Sequence, residues 1–227
     1  MSSVRDSLSP HHILSAAFFS RESWEVEELN RAKPLIDAHN SGVIGADQSY
    51  AMGAVFAAVA FLEAVINELF NDVVDEVETP SFNQLSLDDR RSMSQWWNLG
   101  VEKFRTLDKY QAALNTVVGK PFERGLQPYQ AVDDLITLRN KLIHYEPEFM
   151  PVSAGVKQNI AGRLKGKFSL NPWYKDMSSP FFPNKCLSHG CAEWAVTSSL
   201  QFTDAFFERM KLTPPYNRCH AGLATKK

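Results

Sequence analysis

The chain has 227 residues, 44% of them hydrophobic and 22% charged, with a formal net charge of −2. That length and apolar content suit one domain with a sizeable buried core, and the balanced charge excludes a global field drawing in a polyanion. Nucleic-acid contact would need a local basic patch, and three cysteines without framework spacing suit a reducing, cytoplasmic compartment.

The first ten residues are polar and carry Asp6, with no apolar segment of signal-peptide length. Pro10 opens a stretch in which Ile13, Leu14, Ala17 and Phe18 recur at helical spacing. His11 and His12 read as exposed residues at its start. Pro34 breaks this region, and His39-Asn40-Ser41-Gly42 reads as a loop. The main helix is predicted from about Ala46 to Val77. Its Val55, Val59, Leu62, Ile66, Leu69 and Val73 are spaced 4, 3, 4, 3, 4, a seam that packs on a neighbour. Gly53 to Ala60 is apolar on all sides, which predicts burial from more than one direction. The apolar run of about 16 residues, ending at Glu63 and Asn67, is short for a membrane span.

Thr79-Pro80 is the predicted stop. Ser86, followed by Asp88 and Asp89, reads as an N-cap with acids in the first turn. The helix after it carries Met93, Trp96 and Trp97, the tryptophans serving as core or dimer contacts. A further helix is predicted over about 101–118, stopped by Gly119-Lys120-Pro121. Pro128 starts the next, with Val132, Leu135, Ile136, Leu138 and Leu142 apolar; it ends near His144–Tyr145, because Glu146 precedes Pro147. Residues 148–187 are rich in proline and glycine and poor in periodicity. They predict a long irregular insertion, with a short hairpin around Val156–Leu170. Helix returns from Ser188 to Met210, with Ala195, Phe202, Phe206 and Met210 on one stripe, and Thr213-Pro214-Pro215 ends it. The chain is thus read as a single all-α domain with its core at about 46–147 and 188–212.

Two charges sit in apolar stripes. Val132, Ile136, Arg139 and Ile143 are spaced 4, 3, 4, which aims Arg139 at packing. Thr137, Asn140, Lys141 and His144 fall on the polar side. Arg139 and His144, five apart, point roughly 140° away from each other on an ideal helix, so a common site needs fraying at His144 or a second protomer. Phe56, Val59, Glu63, Ile66 and Phe70, spaced 3, 4, 3, 4, put Glu63 in a similar stripe. A buried charge requires a partner, so Glu63 and Arg139 are candidates to face each other. The plain alternative is a Glu–Arg clasp that fixes helix register, with His144 capping a helix end on the dipole.

Arg139-Asn140-x-x-x-His144 resembles the signature of the HEPN superfamily (higher eukaryotes and prokaryotes nucleotide-binding domains), and Phe61-Leu62-Glu63-Ala64-Val65-Ile66-Asn67 is similar to its earlier, acidic-marked helix. The resemblance covers about Ser49–Glu146. It implies a helical bundle that dimerises, with the Arg–His motifs of two protomers lining one cleft. Many members are metal-independent ribonucleases of toxin–antitoxin and other defence systems. Others are non-catalytic modules that bind RNA, nucleotide or a protein partner. On this resemblance His144 is general acid or base, Arg139 binds the phosphate, Asn140 positions, and Glu63 orients Arg139. These residue types suit the chemistry: imidazole ordinarily titrates near neutrality, and a guanidinium binds phosphoryl oxygens bidentately. Some toxin members carry a modified tyrosine two residues after the histidine; here Tyr145 follows directly and position 146 is Glu, so that regulation does not carry over.

Lys157, Arg163, Lys165, Lys167 and Lys175, interleaved with Phe168, Trp173 and Tyr174, make a second candidate surface for single-stranded RNA. Its alternative is a solvated loop whose aromatics tuck onto the helices. Lys141, Tyr145, Lys165 and Lys167 are the candidate binding residues. Cys186, His189, Cys191, Cys219 and His220 match no common zinc spacing, and no metal or cofactor is expected. The expectation is an all-α, HEPN-like bundle with a Pro/Gly-rich insertion before its last helix. It would be a cytoplasmic homodimer acting on RNA, with an antitoxin or other protein as possible partner and no membrane association.

Overall fold

The computed structural model describes residues 46–144, 160–174 and 179–216. Among them every regular element is helical and there is no strand. In chain order these are α1 (Ala46–Val74), α2 (Pro80–Gln84), α3 (Leu87–Asn98), a 3-10 turn (Val101–Lys103), α4 (Thr106–Val117), α5 (Tyr129–Ile143), α6 (Ile160–Leu164), a second 3-10 turn (Pro172–Tyr174), a π-type turn (Phe181–Lys185) and α7 (His189–Met210). The elements at 10–40, Tyr145, Lys157, Lys175, Cys219 and His220 lie outside the described residues.

The seam predicted on α1 is real: Val55, Val59, Leu62, Ile66, Leu69 and Val73 are all buried. Burial of each such side chain stabilises by roughly 1.5–3 kcal/mol. The all-round burial expected of Gly53–Ala60 does not occur, since Gly53 and Ala60 are exposed. With 29 residues α1 is also long and apolar enough to cross a membrane, though half of its most apolar stretch is buried inside the protein, as in a core helix. It stops at Val74, a little before the predicted Val77. Glu76 turns left-handed (φ 52°) and the Val77 N–H donates to the Asp72 carbonyl at 2.9 Å, a six-to-one closure that satisfies an end carbonyl. Lys211 (φ 56°) closes α7 in the same way, its neighbour Leu212 donating to Phe207 O at 3.0 Å.

The chain divides into two compact units. The first is built from Phe61–Pro121 and, among the described residues, 206–216. Here α3 packs on α4, and the Phe70 and Trp97 rings stack at 5.2 Å. Tyr110 is buried; its hydroxyl donates to Leu62 O at 2.8 Å and its ring meets Phe206 edge-on at 4.8 Å. Ser86 caps α3 as expected, accepting from the Asp89 N–H. Ser81 donates to Thr213 O at 2.6 Å, and Gln84 brackets Thr213 through both its amide and its carbonyl, which fastens the segment after α7 to α2.

The second unit holds 46–60 and Phe122–Ala205. Phe202 of α7 receives Phe122 at 5.0 Å and Tyr129 at 6.3 Å, ring centroid to centroid. No hairpin forms over the described part of Val156–Leu170; α6 occupies it instead. Ile160 and Leu164, one turn apart, are both buried, and this helical pair outweighs the weak alternation around it. Asn171 ties its own segment to the described residues 185–187. Its side-chain amide donates to Leu187 O at 3.0 Å, its backbone N–H to Lys185 O at 2.8 Å, and its carboxamide oxygen accepts from Trp173 N.

Candidate functional site

Helix α5 carries the Arg-Asn-His motif in the second unit. Its buried stripe is Ala131, Leu135, Leu138 and half-buried Leu142, spaced 4, 3, 4, rather than the stripe through Arg139. The same period fits both. The leucines win the interior, and the predicted row opens along its length, from buried Val132 through half-buried Ile136 and Arg139 to exposed Ile143.

Arg139 therefore stands at the edge of the interior, one residue beyond Leu138. Its Nε is nevertheless sealed from solvent, and among the described residues it is the one buried side-chain nitrogen or oxygen without a hydrogen-bond partner. Asn140 is exposed and Lys141 half-buried. His144 is exposed and lies just past the last helical residue, with φ −106° and ψ 67°, while its N–H still donates to Asn140 O at 2.9 Å. The rotation of 100° per residue thus no longer fixes the histidine's direction. His144 holds the C-cap position of the plain alternative. Glu63 belongs to the first unit and is exposed, so no desolvation cost obliges it to pair. Val59, Ile66 and Phe70 of its stripe are buried, and Glu63 itself reaches solvent.

The charge at the interior of α5 is one that periodicity passed over. Asp134 is 2% exposed. It accepts from Arg163 Nε at 2.5 Å and from Lys167 Nζ at 2.8 Å, while Arg163 also reaches Asp133 at 2.5 Å. Burial pulls the Arg163 guanidinium down, but its hydrogen bonds and the charges of both aspartates outweigh that and hold it above its ordinary value. Two carboxylates and two cations thus lock α6 and the following turn onto α5. The signal was in the sequence as Asp134 sitting between Ala131 and Leu138. Its partners lie 29 residues and more downstream, beyond the reach of local pattern.

Lys167 is consequently committed to Asp134, while Lys165 is exposed. Phe168 tucks against Trp194 at 5.3 Å, the alternative foreseen for these aromatics. Cys186 and Cys191 are fully buried. Burial pushes the Cys186 thiol up to about 12, and burial together with the neighbouring Cys186 pushes Cys191 higher still, so both are unreactive thiols. Among the described residues no three His, Cys, Asp or Glu side chains form a metal-binding group. Comparison with known proteins finds no matching family model, no similar curated protein and no similar solved structure.

Proposed function

We propose that this protein is a HEPN-like, metal-independent endoribonuclease that acts as a cytoplasmic homodimer in a defence or stress response. The observation that carries the reading is the Arg139 guanidinium, held at the edge of the interior with a buried, unpartnered Nε on the helix that ends at exposed His144. A buried donor without an acceptor costs roughly 1–3 kcal/mol, a cost removed when the guanidinium turns outward to a phosphoryl oxygen.

In this reading His144 removes the proton of a ribose 2′-OH, and the 2′ oxygen attacks the adjacent phosphorus. Arg139 neutralises the charge that builds on the phosphorane oxygens, assisted by the Asn140 amide. The P–O5′ bond breaks, and the leaving oxygen takes up the proton that His144 removed, leaving a 2′,3′-cyclic phosphate and a 5′-OH. Each step is a proton transfer or a displacement, for which these side chains suffice. Glu63 enters only through the resemblance.

The test is incubation of the purified protein with total RNA in EDTA, with products resolved by size and end chemistry. Wild type should cleave, and His144→Ala and Arg139→Ala should each lose at least about 100-fold in rate, the scale of general acid–base catalysis. Absence of cleavage, or cleavage that survives His144→Ala, removes the reading.

A further inference from the structure

The second unit holds a cavity of about 390 Å³ that the Arg-Asn-His motif does not use. That volume lies within the range of roughly 300–1,000 Å³ typical of small-molecule sites. Its floor is a stripe of α7, Gly190, Trp194, Thr197 and Gln201, spaced 4, 3, 4. One wall is the Lys167–Ser169 turn and the other is Gln127 with Ala131, at the start of α5.

The turn is held firmly. Ser188 donates to Ser169 O at 2.6 Å, and Gly190 leaves room for Ser169 where a Cβ would meet its backbone oxygen at 2.9 Å. Phe168 and Trp194, packed at 5.3 Å, give the cavity an aromatic side. Gln127 and Gln201 supply carboxamides that can both donate and accept. The charges decide the ligand class. The Lys167 ammonium is 2.8 Å from Asp134, whereas Glu193 is an exposed carboxylate on the cavity lining. An anion would meet repulsion from Glu193 and a cation already neutralised. A flat, uncharged ring that offers N–H donors meets both the aromatic side and the carboxylate.

We propose that this cavity is a nucleobase site with a preference for guanine, whose N1–H and N2–H donors lie side by side and match the two oxygens of Glu193. The ring packs on Trp194, and Gln127 and Gln201 take its remaining polar edge. The ring can come from single-stranded RNA or from a free nucleoside. Ala131 and His144 are 13 residues apart on one helix, roughly 20 Å. If the ribonuclease reading holds, the site therefore reads a base several nucleotides from the cleaved bond.

The test is a titration of the full chain in EDTA with guanosine, adenosine, cytidine and uridine, read by saturation-transfer NMR. Guanosine should bind about ten-fold tighter than adenosine, the worth of a charge-assisted pair of hydrogen bonds. Glu193→Gln should bring guanosine and adenosine together, and Thr197→Trp, at an exposed position, should fill the cavity and abolish binding. A single-stranded oligonucleotide containing G that displaces guanosine assigns the ring to RNA; guanosine binding without displacement assigns it to the free nucleoside. No nucleoside binding, equal affinity for all four, or guanosine binding unchanged in Thr197→Trp overturns the proposal. RNA cleavage is scored separately. Nucleoside binding without cleavage sinks only the ribonuclease reading, and cleavage without nucleoside binding sinks only the base site.

Discussion

Helix α5 handles charge in two opposite ways along its length. Near its middle Asp134 is fully buried and completely partnered, accepting from Arg163 and Lys167. Five residues on, Arg139 is half-buried and its Nε has no partner. A satisfied network fixes one geometry, whereas an unsatisfied donor is stability forgone. The contrast assigns the first cluster to holding α6 in place and marks the second as the place where function is to be sought.

Removing Asp134 is the sharpest way to break that distinction. Asp134→Ala strands Lys167 and leaves Arg163 only Asp133, so urea denaturation should show a loss of about 3–5 kcal/mol. A loss below about 1 kcal/mol, the scale of surface ion pairs, would mean the cluster is solvated and the contrast with Arg139 false.

The alkaline limb of stability tests whether the ion cluster or the thiols weaken the second unit first. Arg163 is held above its ordinary value, so its cation persists as pH rises. Cys186 is pushed from 9.0 to about 12 in the folded protein, and its unfolded form ionises at the ordinary value. Stability is then full below pH 9 and falls as pH rises toward 12, by roughly 1.4 kcal/mol per pH unit for each buried thiol. Cys186→Ala with Cys191→Ala should flatten that slope in denaturation curves taken across this window. An unchanged slope would place the weakness elsewhere.

Much of the helical content was legible before the charges were. The start at Pro128, the end at His144 and the buried Ala195, Phe202, Phe206 and Met210 of α7 follow from spacing and breakers, which act locally. The end of α1 at Val74 comes earlier than spacing predicts because Glu76 adopts left-handed backbone without glycine, which residue type does not announce. Which of two parallel stripes on α5 faces inward is a tertiary decision, so Arg139 was read as more central than it is and Asp134 was overlooked. Glu63 differs: Val59, Ile66 and Phe70 of its stripe are buried as spacing predicts, and the carboxylate itself reaches solvent.

Gly190→Ala probes the close approach of the Ser169 turn to α7. The added Cβ would meet Ser169 O at 2.9 Å, and a backbone atom cannot swing aside as a side chain can. The turn that carries Lys167 must then shift, costing about 1–3 kcal/mol in urea denaturation. An effect within about 0.5 kcal/mol, the scale of surface substitutions, would show that the turn is fixed by Lys167, Phe168 and the Ser188 hydrogen bond rather than by this contact.

The smallest expected change in stability is the most informative about Arg139. Arg139→Met keeps the aliphatic stem that lies along the interior and removes the orphaned donor. The cost of burying Nε disappears while packing is largely retained, so stability should stay within about 1 kcal/mol of wild type or rise. Arg163→Met, the same chemical change at the paired cation on α6, should instead destabilise, because it leaves Asp134 with only Lys167. Denaturation curves for the two variants side by side therefore separate an arginine that the fold needs from one that it tolerates. A large loss at Arg139 would make it a structural residue after all, and the unpartnered Nε would cease to point to a phosphate.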